Sequence, residues 1–192
     1  FLLICCCGCG ASAFKTTSGD AAAAIDVHFL DVGEGDATLI RLPSGESILV
    51  DAGNIVAGVQ LVQELKRCGV SQLELLVLTH PHPDHVAGAF AVAESFPVKE
   101  IWENGEDLKA AAKQEDLYRW YVDYFRTTKR AKTVSAGTVR TFGSATVEVL
   151  SPITSNASTD WNANSLVILI RFGDFRLLLM GDANLIAEAE LV

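Results

Sequence analysis

The stretch "LELLVLTH" (Leu73–His80) constrains the fold more than any other part of the chain. An uninterrupted apolar run of this length predicts a strand covered on both faces, and such a strand needs a layer of structure on each side. It runs directly into "THPHPDHVAG", which holds His80, His82, Asp84 and His85. The chain has only 4 histidines, and nearly all of them fall here. Core histidines arrive singly and surface ones scatter, so this clustering at the carboxyl end of a buried strand points to metal binding.

Around this strand the pattern alternates between element types. "IDVHFLDV", "DATLIRL" and "SILVDAG" predict three short strands with turns at Gly33–Gly35 and Pro43–Gly45. "IVAGVQLVQELKRCG" follows with helical spacing, Asn54 as its cap and Gly69 as its stop. "DHVAGAFAVAESF" predicts a helix, "VKEIWEN" a strand, and "DLKAAAKQEDLYRWYVDYFRTT" a long amphipathic helix. Then come "AKTVSAG", "TVRTFG", "ATVEVLSP", "NSLVILIRFG" and "DFRLLLMGDA" as strands, with another helix beginning at Asn184. The order predicts a layered α/β domain with antiparallel meanders at its beginning and end.

The first residues differ in kind. "FLLICCCGCGASAF" is apolar, uncharged and too short to span a bilayer as a helix. It resembles the end of an export signal, with Ala11-Ser12-Ala13 as a small-x-small cleavage site or Cys9 as the lipid-anchoring cysteine of a lipoprotein. Residues 1–24 are therefore expected to be leader and linker, residues 25–192 the folded domain, and the location extracytoplasmic. Cys68 is the one cysteine outside that segment, so no disulfide is expected in the domain. Hydrophobic residues make up 49% of the chain, enough for a substantial core, and the net charge of −9 disfavours a broad basic surface for nucleic acid.

Imidazole and carboxylate suit zinc, manganese or iron. His80 and His82 alternate on extended backbone that Pro81 and Pro83 stiffen, so both point to one side. Asp84 and His85 open a helix and diverge towards a neighbouring position. Two metals are expected: one on His80 and His82, the second on Asp84 and His85.

"THPHPDH" after an apolar strand matches the H-x-H-x-D-H signature and resembles the metallo-β-lactamase superfamily. The longer stretches "FLDVGEGDATLIRLPSGESILVDAG" and "NANSLVILIRFGDFRLLLMGDA" resemble the extracytoplasmic domain of ComEC-type competence proteins and their free-standing relatives. That group usually carries Gln where this chain has Glu34. The resemblance implies an αββα sandwich, two divalent metals (zinc or manganese), and metal-assisted hydrolysis with Asp84 and Asp182 as catalytic carboxylates. It implies Asp182 as the bridge between metals and Asp51 as the carboxylate that orients the metal loop, an aspartate otherwise read as a strand-end turn.

Asp36, in "GEGD", is either a residue that approaches the site or a solvated turn. Asn164 and Ser165 stand where a histidine ligand is usual, and contact metal weakly, hold a water or bind substrate; a weakened ligand set there favours a harder cation such as manganese. The family's last histidine is expected beyond Val192, so the 192 residues alone are expected to hydrolyse weakly. The resemblance implies phosphodiester cleavage in DNA and a membrane channel partner. Its rivals are a small-molecule hydrolase acting on β-lactams or thioesters, and a binding domain that keeps the fold without the chemistry.

Overall fold

The alternation within each central strand decides the layering. In a computed structural model, which describes residues 5–7, 11–15, 24–154 and 158–191, the buried run becomes β6 (Leu75–Leu78) at the middle of an eight-stranded sheet. Its strands follow chain order: β1 (Cys5–Cys7), β2 (Ala11–Lys15), β3 (Asp26–Phe29), β4 (Thr38–Arg41), β5 (Ser47–Val50), β6, β7 (Ile101–Glu103) and β8 (Lys132–Thr133). From β1 to β5 the pairing is antiparallel; β5 to β8 pair in parallel.

Successive side chains of a strand face opposite ways, so β6 feeds two cores. Leu76 and Leu78 join Leu39 and Leu49 in one apolar cluster, with Leu61 and Leu65 of α1 (Gly58–Arg67) and Val92 of α3 (Ala89–Ser95). Leu75 and Val77 join Ile40, Ile48 and Val50 in the other. That second cluster is closed by Val147, Val149, Ile168 and Ile170 from a smaller sheet ordered β12-β11-β10-β9. Its strands are β9 (Val139–Phe142), β10 (Ala145–Ser151), β11 (Val167–Phe172) and β12 (Phe175–Leu179). Helices, sheet and sheet thus stack as three of the layers expected of the αββα sandwich, and the double-sided run is the reason.

Several elements differ from their sequence reading. The segment after His82 is two helices, α2 (Pro83–Val86) and α3, divided at Ala87-Gly88. Gly88 presses on the chain after β5: a Cβ there would stand 2.0 Å from the Ala52 carbonyl oxygen. The long helix is also broken. A 3₁₀ turn at Ala111–Lys113 precedes α4 (Asp116–Tyr121), which runs on as a π-helical stretch, Val122–Thr128.

Asn54 does not cap α1 directly. Its Oδ1 accepts from Val56 N at 2.9 Å and Ala57 N at 3.0 Å, a turn that delivers the chain to the helix. The helix foreseen at Asn184 is α5 (Leu185–Glu190), with Asn184 Oδ1 accepting from Ile186 N at 3.0 Å. Within the segment read as leader, β2 pairs with β3 and β1 pairs with β2, extending the sheet at its open edge. Cys9 lies outside the described residues. No helix of the described residues is long and apolar enough to cross a membrane.

Candidate metal centre

The end of β5 and the end of β6 lie side by side, and this brings Asp51 against Thr79 and His85. Asp51 is 1% exposed. Its Oδ1 accepts from Thr79 N at 2.8 Å, and its Oδ2 from Thr79 Oγ1 at 2.7 Å and His85 Nδ1 at 2.9 Å. Asp51 holds a left-handed backbone, φ 56°, a conformation that costs a non-glycine residue about 1–2 kcal/mol. The carboxylate's bonds compensate for that strain.

These bonds assign the protons on two rings. Because the Thr79 hydroxyl donates to Asp51, its oxygen is free to accept from His80 Nδ1, 3.1 Å away. His80 therefore turns an unprotonated Nε2 to the site. Burial first, then the neighbouring His85 and His82, push its imidazole down to about 2, so it stays neutral. His85 likewise commits Nδ1 to Asp51 and turns Nε2 outward.

Burial pulls the His85 imidazole down. The hydrogen bond and charge of Asp51, then the charges of Asp182 and Asp84, outweigh that and lift it to about 9. Burial raises the Asp51 carboxyl against the opposing pull of His85 and Thr79. A pocket of carboxylates that stabilises a proton on His85 is one that stabilises a cation.

Asp182, after β12, arrives opposite both rings. Its Oδ1 stands 3.2 Å from His85 Nε2 and its Oδ2 3.9 Å from His80 Nε2. The ligand atoms of His80, His85 and Asp182 lie within 4.8 Å of one another. His82 Nδ1 is 2.9 Å from His80 Nε2, and Asp84 Oδ2 is 3.7 Å from His85 Nε2. Two donors about 2.0–2.1 Å from a tetrahedral metal are separated by roughly 3.3 Å, and these distances bracket that value. The donor set fits a divalent metal.

His82 stands beside His80 and Asp84 beside His85, the two sets expected from the sequence, and Asp182 faces both sets through His80 and His85. Asp51 draws the inner nitrogen of His85 backward and turns its outer nitrogen toward His80. Their ring centroids are 4.2 Å apart.

Two close backbone approaches make room for this convergence. Gly35, at φ +89°, lies where a Cβ would meet the Asp84 carbonyl oxygen at 1.7 Å. Gly181, at φ +52°, lies where a Cβ would meet Thr79 Oγ1 at 2.8 Å. The "GEGD" loop therefore packs on the metal loop through Gly35, while the Asp36 side chain is exposed and only its carbonyl is engaged, accepting from Gly53 N at 2.9 Å.

Asn164 and Ser165 take different places from the donors. Asn164 is buried, and its amide nitrogen donates to Glu106 Oε1 and to the Ser158 carbonyl at 2.7 Å, while its Oδ1 accepts from Ser158 N at 3.0 Å. Asn104 donates to the Asn164 carbonyl at 3.0 Å. Asn164 is thus a loop anchor whose side chain is committed away from metal. Ser165 is fully buried and its hydroxyl has no partner among the described residues. The next residue, Leu166, donates its N–H to the Thr79 carbonyl at 2.9 Å.

Trp161 is a neighbour the sequence reading missed. Its ring lies 5.4 Å from that of His82, and Tyr118 lies 5.3 Å beyond it. A lone tryptophan in a polar loop carries no period or motif by which it could be found.

Known proteins are similar to this chain to differing extents. The family model described as Metallo-beta-lactamase superfamily matches residues 30–192. Recombination protein 2 of Haemophilus influenzae is 32% identical over 163 residues, covering 82% of this chain and 18% of that protein. Ribonuclease Z of Clostridioides difficile is 41% identical over 44 residues, 23% of this chain and 13% of that protein. The chain thus spans less than a fifth of either relative. Among solved structures, a class B3 di-zinc metallo-beta-lactamase from an Alaskan soil metagenome superposes with TM-score 0.50 at 14% identity, over 86% of this chain and 66% of that one. At that identity the likeness concerns the fold alone.

Proposed function

Since the chain belongs to the metallo-β-lactamase superfamily, we propose that it is a metal-dependent phosphodiesterase acting on nucleic acid, DNA in the first instance, outside the cytoplasm. The observation that carries the hydrolase reading is the His80–His85–Asp182 set with Asp51 bonded behind it. Similarity to Recombination protein 2 and Ribonuclease Z supports nucleic acid as the substrate class.

His80, His82, Asp84, His85 and Asp182 would hold the metal, zinc or manganese, with Asp182 placed to serve two ions. Bound there, a divalent ion supplies Lewis-acid polarisation of the phosphoryl group and a water of lowered pKa. The chain's own residues do the rest. Thr79 and Asp51 keep His80 and His85 from rotating, so no reorganisation is needed when substrate arrives. Asp84 sits at the rim, its side chain 34% exposed, where it would accept a hydrogen bond from the attacking water. The reading extends to a lipid anchor at Cys9 and a membrane channel partner that receives the DNA.

Incubating the protein with single- and double-stranded DNA, in zinc and then in manganese, tests this. The expected result is cleavage that Asp182→Asn lowers at least about a hundredfold. Hydrolysis of a β-lactam or thioester without any phosphodiester cleavage would overturn it.

A further inference from the structure

Trp161 stands beside His82 on a loop held by several side-chain hydrogen bonds. Asn164 ties the loop inward to Glu106 and Ser158. Asp160 accepts from Asn184 Nδ2 at 2.8 Å and from Asn162 N at 3.0 Å, binding the loop to the chain that follows Asp182. The indole is half-buried, backed by Tyr118 at 73° and tilted 49° to His82. A half-buried indole that packs beside the His82 imidazole borders the site where a metal would sit.

The described ligand cluster itself holds none of the usual source of nucleic-acid affinity. Proteins that grip the backbone do so with lysine and arginine against phosphate. Here the net charge is −9, and the ion pairs of His80, His85, Asp84 and Asp182 among the described residues involve no lysine or arginine. Uncharged contact is a second source of attraction, and stacking of a base on an aromatic ring contributes about 1–3 kcal/mol.

We infer that Trp161 is the stacking platform for the nucleobase next to the scissile phosphodiester, and so a substrate-specificity residue of this site. This rests on the nucleic-acid reading above and adds to it the part of the substrate that is recognised. It commits the site to unpaired ends or single strands, since a base inside a duplex has no free face for the indole.

The test compares two probes: a thymidine dinucleotide phosphodiester, and its counterpart in which one nucleoside is an abasic tetrahydrofuran. Their Kd values are measured by competition for the metal-loaded protein and for the metal-free protein, alongside turnover. The wild type should prefer the base-bearing probe by about five- to 150-fold, the range that 1–3 kcal/mol implies. Trp161→Ala should collapse that ratio toward one, and Trp161→Phe should keep most of it.

A ratio near one in the wild type overturns the inference, as does an equal loss for both probes in Trp161→Ala, which would mean that the ring only positions His82. If no probe or DNA is cleaved but the ratio and its collapse are seen, the nuclease reading falls and the stacking site stands. If DNA is cleaved without any base preference, the reverse holds.

Discussion

Asp51 accepts from Thr79 and His85 while almost wholly removed from water, so its replacement leaves both imidazoles without a fixed direction. Partners of this kind behind a metal ligand are worth about ten- to a hundredfold in affinity. Asp51→Ala should therefore weaken zinc binding by that factor, read by competition with a chromogenic chelator. Unchanged affinity would mean that the loop holds its own shape. Gly35 poses the opposite problem, too little space. Gly35→Ala adds a methyl 1.7 Å from the Asp84 carbonyl oxygen at φ +89°. Overpacking of about 1–3 kcal/mol and left-handed strain of about 1–2 kcal/mol should lower the urea midpoint together. A variant as stable as the wild type would show that the two loops part easily.

At the level of elements, β6 does two jobs with one run of residues. Leu76 is fully buried toward the helices, and Leu76→Ala should cost about 2–5 kcal/mol by urea unfolding. A loss under about 1 kcal/mol would mean that the helical layer closes over the gap. The 158–164 loop depends on polar rather than apolar burial. Asn164→Ala removes the amide that faces Glu106, a carboxyl whose range burial already raises. Leaving buried polar groups unpaired costs about 1–3 kcal/mol each. This variant should destabilise the protein and broaden the fluorescence of Trp161, whereas zinc affinity should change less than in Asp51→Ala. An equal fall in zinc affinity would place Asn164 among the ligands after all.

For the whole molecule, the candidate metal donors come from the ends of strands in both sheets: the end of β6 and the chain after β12. An ion bound between His80, His85 and Asp182 ties the two sheets together and is absent from the unfolded chain. Zinc at a hundred times its Kd should raise stability by about 2.7 kcal/mol, and a chelator should reverse the gain. A melting temperature indifferent to zinc would mean that Asp182 does not join the histidines in solution.

Much of this was legible in the residues. The continuous run of β6 required two covering layers, and the H-x-H-x-D-H spacing pointed to the candidate donors, because strand period and ligand chemistry are local properties. The helix at Asn184 announced itself by its cap. How the two sets face one another was not legible. That His85 turns toward His80 depends on Asp51, thirty-odd positions earlier, meeting it across a parallel strand pair at 2.9 Å. The same holds for Gly88, whose contact with Ala52 divides a helix that propensity alone would continue. Trp161 is the clearest case. Nothing in "STDWNANS" says that the ring will stand beside His82, because only the packed loop, anchored through Asn164 and Glu106, decides where a side chain without a periodic pattern comes to rest.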